Sequence, residues 1–256
     1  VAQNSKVISS TGNAHYKFLR SLLASTGIRN SQAFLLSGER LVKEFFRERP
    51  KVFTGIVLPE HLSNPCPDLP AVILTQPLFD TIDVFKTKYA ILVGTVSSFA
   101  EFDPLAPPQH RELLVGFGDP ANLGAVLRSA EAFGFDRIVL LQECSHPYHP
   151  KALRASSGSS LRLHYSKGPS IRDIANAGPL FALDLEGQPL QQIAWPERFR
   201  LLIGLEGLGL PSHLKPQRIQ IPMVGQLDSL NAAVAASIAM YDVSTKTAQT
   251  LSKTRK

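Results

Sequence analysis

Short apolar runs and amphipathic stretches alternate along this chain, and the alternation changes character near its middle. Before Glu101 the runs "FTGIVLP" (53–59), "AVILT" (71–75) and "AILVGTV" (90–96) predict strands, while "HYKFLRSLLAS" (15–25) and "GERLVKEFFRER" (38–49) predict helices. Together they describe a small α/β unit. The stretch "EFDPLAPPQH" (101–110) holds three prolines, which forbid a regular element and favour an extended linker. Beyond it the alternation becomes regular. Strands are predicted at "RELLVGFG" (111–118), "DRIVLLQE" (136–143), "PLFALDLE" (179–186), "RLLIGLEG" (200–207) and "RIQIPM" (218–223). Helices are predicted at "NLGAVLRSAEAFG" (122–134), "PKALRASS" (150–157) and the C-terminal segment. Strand and helix in alternation, with near-continuous apolar strands, imply a parallel sheet covered on both faces. The expected division is residues 1–105 and 106–256, both α/β.

Composition narrows the class. A chain of 256 residues, 44% hydrophobic, can bury one large core or two modest ones, and two fits the linker. No apolar run approaches about 18 residues and no charged-then-apolar leader is present, so neither a membrane span nor a secretory signal is predicted. Cys66 and Cys144 are too few for a disulfide framework, and the cytoplasm is the expected compartment.

The net charge of +6 matters less than its placement. Between Val1 and Gly38 the basic residues Lys6, Lys17, Arg20 and Arg29 meet no acid. From Cys144 to Arg172 the residues Lys151, Arg154, Arg162, Lys167 and Arg172 are likewise unopposed. Two such segments suit a polyanion, with phosphate neutralisation as their use; ordinary solvated faces are the alternative.

In open parallel sheets ligands bind beyond the carboxyl ends of the strands. Three loops expected there carry glycine, which lets backbone approach a ligand, together with polar side chains: "GDPANLG" (118–124), "LEGLGLP" (205–211) and "VGQLDSLN" (224–231). The spacing of Gly116, Gly118 and Gly124 does not fit a dinucleotide fingerprint, and no G-K-[ST] exists for a phosphate loop. A phosphate-bearing cofactor is not predicted.

Extended into their flanks, the loops become "DPANLGAVLRSAEAFG" (119–134), "LLIGLEGLGL" (201–210) and "IPMVGQLDSLNAAVAASIAMY" (221–241). In this order they resemble the three motifs of the SpoU/TrmH family of RNA ribose 2′-O-methyltransferases, in the SPOUT superfamily. The stretch from Arg154 to Ser160 is also family-like. The first part is similar to the L30e-like RNA-binding domain that many members carry in front. The resemblance implies S-adenosylmethionine as methyl donor, RNA as substrate, a homodimer through the catalytic domain, and a C-terminal part threaded as a trefoil knot. Topology rules alone would not predict a knot.

The family match puts Asn122, Arg128, Glu206, Ser229 and Asn231 at the centre of catalysis. Methyl transfer to a ribose hydroxyl is an in-line displacement, which needs the hydroxyl held against the methyl carbon and its proton removed. Asn122 either caps its helix or meets substrate, and Ser229 has the same two readings. Arg128 lies off the apolar stripe of Leu123, Val126, Leu127 and Ala130, which leaves it to anchor an RNA phosphate or, as proposed for the family, to accept the proton. Glu206 binds polar groups of the site or orients Arg128. The family's cofactor positions fall on Gly204, Ile221 and Leu230, with Leu183 and Met223 as further apolar walls for an adenosyl group. Leu205 departs from the family, where asparagine is frequent. RNA contacts are expected from Lys17, Arg20, Arg29, Lys151, Arg154 and Arg162.

Cys144, His146 and His149 in "CSHPYHPK" lack a fourth ligand, and no metal is predicted. The resemblance points to ribosomal RNA of the 23S type. Transfer RNA is the alternative substrate, and a non-catalytic RNA-binding protein retaining the fold is the alternative class. All five central motif residues are present, which favours the enzyme.

Overall fold

The computed structural model describes residues 7–203 and 210–254, with side chains through 247. The chain forms two compact units, Val1–Ser98 with His146–Gly158, and Phe99–Ser145 with Ser159–Lys256. The first contains α1 (Ala14–Ser21), α2 (Ser25–Ser31), β1 (Ala33–Leu36), α3 (Glu39–Glu48), β2 (Phe53–Pro59), β3 (Ala71–Leu74), α4 (Gln76–Ile82) and β4 (Ile91–Thr95). The second opens with β5 (Ala100–Glu101), β6 (Arg111–Val115), α5 (Pro120–Ala132) and β7 (Arg137–Leu140). The chain then crosses to the first unit for α6 (Pro150–Ala155). It finishes in the second with β8 (His164–Lys167), β9 (Leu180–Pro189), β10 (Phe199–Ile203), β11 (Gln217–Gln220) and α7 (Ala232–Thr254).

The first unit's sheet has the order β1-β4-β2-β3. β4 is antiparallel to both β1 and β2, whereas β3 runs parallel to β2. Its core joins Tyr16, Leu19 and Leu22 to Phe79, Ile82 and Ile91. The segment His146–Gly158 clusters with this unit, although it follows β7 in sequence and fell within the expected 106–256 domain. The attachment is specific. Tyr148 packs on Phe34 with ring centroids 4.9 Å apart and planes tilted by 51°, the His146 N–H donates to Ser25 Oγ at 3.0 Å, and Arg154 lies 4.5 Å from the Phe85 ring. Gly158 has φ +89°, and a Cβ there would overlap the Phe45 ring.

The second unit's sheet runs β11-β9-β10-β6-β7-β8-β5, and every pairing in it is parallel. The continuous apolar pattern of β6 and β10 has its reason here: Leu113, Leu114, Leu201 and Leu202 are fully buried in central strands. From β6 the chain winds one way through β7 and β8, then crosses to build β9, β10 and β11 on the other side. The order therefore reverses between β6 and β10, and the crevice beyond their carboxyl ends is where such sheets bind ligands.

The stretch read as an extended linker is fastened to this sheet. Arg200, only 2% exposed, donates from Nε to Glu112 at 2.9 Å, from Nη2 to the Ala106 carbonyl at 2.7 Å, and from Nη1 to the carbonyls of Pro104 and Ala177 at 3.3 Å. Its guanidinium also faces the Phe102 ring at 4.6 Å. Prolines break any ladder, and the planar fork of an arginine supplies the donors that the stranded carbonyls need.

Candidate active site

Two helices start where strands of the parallel sheet end, α5 after β6 and α7 after the loop that leaves β11. α5 starts at an Asp-Pro pair. Asp119 caps it, accepting from the N–H groups of Ala121 and Asn122 at 2.8 Å each, and Pro120 fills the first turn, where no N–H is needed. Asn122 is therefore not the cap. Its side-chain oxygen instead accepts from Asn231 Nδ2 at 3.3 Å.

Asn231 caps α7, accepting from Ala233 N–H at 2.9 Å and Val234 N–H at 3.2 Å. Ser229, the other reading for that cap, lies exposed two residues earlier. One asparagine thus satisfies backbone donors with its oxygen and spends its amide nitrogen on the partner helix.

The helices continue side by side in the same direction. Past the asparagine pair, Ser129 and Ser237 hydrogen-bond at 2.7 Å, and further along Phe133 meets Tyr241 edge-on at 5.8 Å. The small residues of α7 suit this close approach, and Ala233, Ala236 and Ala239 are buried. Among the described side chains of α7, the exposed apolar ones are Val234, Ile238 and Tyr241, at helical spacing on one side.

Arg128 stands exposed on α5 beside Ser129, off the buried stripe as its spacing required. Six residues separate it from Asn122, about 9 Å along the axis, and helical side chains lean toward the N-terminus. The site therefore offers two adjacent helix N-termini and paired amides, with the Arg128 guanidinium further along α5. That set suits a polar substrate carrying phosphate.

The remaining predicted residues divide by place. Leu183 lies half-buried on β9, Ile221 and Leu230 are half-buried at the two ends of the loop into α7, and Met223 between them is 39% exposed. Gly204, Leu205 and Glu206 lie outside the described residues. Lys17, Arg20 and Arg29 are exposed on α1 and α2. Lys151 and Arg154 sit on α6, so they belong to the first unit, while Arg162 in the second approaches Glu131 at 3.9 Å. Among the described residues no three His, Cys, Asp or Glu side chains gather to hold a metal ion. Cys144 is buried, His149 caps α6 through Nδ1, and burial, reinforced by Arg29 and His149, lowers the His146 pKa to about 3. Asp119, Ser129 and Ser237 were not singled out from sequence. The Asp-Pro start was a readable cap signal, but the serine pair joins positions 108 apart and had none.

A parallel α/β sheet with its polar residues collected on strand-end loops defines an α/β protein of the ligand-binding, open-sheet kind. The sequence profile of the SpoU rRNA Methylase family matches residues 111–241, and the chain belongs to that family. A Bacillus subtilis protein named 23S rRNA (guanosine(2553)-2′-O)-methyltransferase RlmP is 29% identical over 247 residues, 92% of this chain and 98% of that one. A Syntrophobacter fumaroxidans protein named ribosomal RNA small subunit methyltransferase G 2 is 39% identical over 248 residues, or 95% of this chain, but this chain spans only 50% of that protein's length. The crystal structure of an AdoMet-bound rRNA methyltransferase from Sinorhizobium meliloti has the same fold, with a TM-score of 0.74 at 22% identity over 93% of this chain and 96% of that one. No helix among the described residues is long and apolar enough to cross a membrane.

Proposed function

We propose that this chain transfers a methyl group from S-adenosylmethionine to a ribose 2′-hydroxyl of structured RNA, with 23S ribosomal RNA as the substrate. The observation that carries the reading is the meeting of Asn122 and Asn231 at 3.3 Å. Two motif residues 109 positions apart join the starts of parallel helices at the ligand-binding edge of the sheet.

The residues present fit the methyl donor. It has no phosphate, and the half-buried Ile221 and Leu230, with Met223 and Leu183, offer apolar walls without a phosphate-binding lysine. When bound, S-adenosylmethionine supplies an electrophilic methyl carbon on a sulfonium. Asn122 and Asn231 position polar groups of the site, Ser229 contributes a hydroxyl, and Gly204 and Glu206 complete it. Arg128 holds the phosphate beside the target ribose. The family resemblance also makes it a candidate acceptor of the hydroxyl proton, a role that demands a neutral guanidinium and is therefore exposed to a sharp test by lysine.

The first unit selects the RNA through Lys17, Arg20, Arg29, Lys151 and Arg154, and Arg162 adds a contact in the second. The catalytic unit pairs with a second copy through Val234, Ile238 and Tyr241, and its C-terminal part is threaded as a knot. Ribosomal RNA puts the protein in the cytoplasm. Purified protein is incubated with methyl-labelled S-adenosylmethionine and, separately, deproteinised 23S, 16S and transfer RNA, and the digests are resolved by mass spectrometry. A labelled 2′-O-methylnucleoside from 23S RNA is expected. Label confined to transfer RNA overturns the substrate, and no transfer to any RNA overturns catalysis in favour of a non-catalytic RNA-binding role.

A further inference from the structure

The first unit contains a half-open cleft of about 850 Å³, far from any residue of the methyl-transfer site in sequence and lined by that unit alone. One wall is α1 and the turn before it, with Asn13, His15 and Phe18; the floor is apolar, with Ile56, Val72 and Val93 from three strands of the sheet. The segment at Ile8 closes one side. It bridges to Leu74 as a further parallel partner, its N–H donating to the Ile73 carbonyl at 2.9 Å and its carbonyl accepting from Thr75 N–H at 3.0 Å.

Three features define what the cleft can hold. Among the described residues its lining contains no Asp, Glu, Lys or Arg, with His15 as the titratable side chain there, so the cleft favours an uncharged body. Phe18 lines the cleft and is 39% exposed, an aromatic surface on which a flat ring can stack. The rim carries oriented polar groups. Asn13 spends its side-chain oxygen capping α1, on His15 N–H at 2.9 Å and Tyr16 N–H at 3.4 Å, which leaves its two amide N–H donors available. Ser10 accepts from Gly12 N–H at 3.2 Å and retains its O–H as a donor.

Charge decides the occupant. α1 also carries Lys17 and Arg20, both exposed and neither in an ion pair among the described residues, and no acid occurs before Glu39. A flat apolar body with carbonyl edges, attached to a phosphate chain, matches a stacking ring, amide donors and flanking cations at once. We infer that this cleft takes one unstacked nucleobase of the RNA, stacked on Phe18, while Lys17 and Arg20 hold the adjoining phosphates. The inference rests on the RNA reading above and deepens it: the first unit reads a single-stranded position by stacking, apart from the nucleotide that is methylated.

The test uses the full chain and fluorescein-labelled hexa-adenylate and hexa-uridylate, followed by anisotropy at low ionic strength. Phe18→Ala is expected to weaken binding about tenfold, and Phe18→Trp to remain within about threefold of the native chain. Lys17→Glu with Arg20→Glu is expected to weaken binding and flatten its salt dependence. Unchanged thermal midpoints and S-adenosylmethionine affinity establish that Phe18→Ala is folded. Equal binding by the native chain and Phe18→Ala, equal losses for the alanine and tryptophan variants, or no binding of either oligonucleotide by the native chain each overturns the cleft. Failure of methyl transfer with Phe18-dependent oligonucleotide binding intact would overturn the catalytic reading and leave this one standing.

Discussion

In the seven-stranded sheet every pairing is parallel, whereas in the four-stranded sheet β4 runs against both of its neighbours. Parallel order obliges each connection to return to the same end, so loops far apart in sequence are delivered to one edge. Asn122 and Asn231 meet for this reason. The mixed sheet of the first unit does not collect its loops, and what it builds is a cleft with apolar walls and a polar rim. One unit concentrates polar side chains at strand ends; the other presents hydrophobic surface beside cations. The difference fits the separate catalytic and RNA-reading tasks proposed above, and each of the following experiments strains one side of it.

The largest effect is expected where the second unit buries charge. Arg200→Ala strands Glu112 and three carbonyls that the guanidinium now satisfies, and a broken buried pair costs about 3–5 kcal/mol. Urea unfolding should show that loss. The double variant Arg200→Met, Glu112→Leu should recover a large part of it, because no charge is then left without a partner. If the single and double variants were equally destabilised, packing volume rather than charge would be what Arg200 supplies.

Exposed Arg128 should behave in the opposite way. Arg128→Lys is expected to leave the thermal midpoint unchanged and to slow single-turnover methylation at saturating RNA by about a hundredfold or more, as for loss of other acid–base groups. Asn231→Ala provides the control, since it disturbs the helix start and the amide pair without changing a titrating group. Near-normal rates for Arg128→Lys would remove the proton-acceptor role and leave a phosphate anchor.

How far the sequence reached follows the same division. The parallel sheet was legible because its central strands are buried on both faces and read as unbroken apolar runs. β8, "HYSK", was missed because only Tyr165 on it is buried, and β1 and α4 were missed as well. The central asparagines were legible as motif residues, but their hydrogen bond was not. Arg200 reads as the polar start of a strand until the fold buries it. The assignment of His146–Gly158 to the first unit runs against chain order, and only contacts such as Tyr148 on Phe34 reveal it.

That borrowed segment gives the first unit a pH dependence. His146 is held neutral, with its pKa near 3 against about 6.5 when unfolded, by burial first and then by Arg29 and His149. The Nδ1 atom accepts from Tyr148 N–H at 3.1 Å, which also requires the unprotonated ring. Between these pKa values the unfolded chain binds the extra proton. The contribution is complete above about pH 6.5 and is lost as pH falls toward 3, at up to about 1.4 kcal/mol per pH unit. Urea titrations from pH 7 to pH 4 should show a steeper decline for the native chain than for His146→Asn; parallel curves would mean that this histidine is not the cause.

The smallest effect expected separates a cap from a catalytic group. Asp119 accepts two N–H groups at the start of α5, and replacing such a cap by alanine costs about 1 kcal/mol. The same turn carries Asn122, so fraying it should loosen the amide pair with Asn231 before it unfolds anything. Asp119→Ala should therefore lower the thermal midpoint by a few degrees and raise the KM for RNA more than it lowers kcat. Asp119→Ser should restore both, because serine caps a helix nearly as well without the negative charge. Were the serine variant as impaired as alanine, the carboxylate itself would be acting in the site, and Asp119 would have to be counted among the groups that meet substrate.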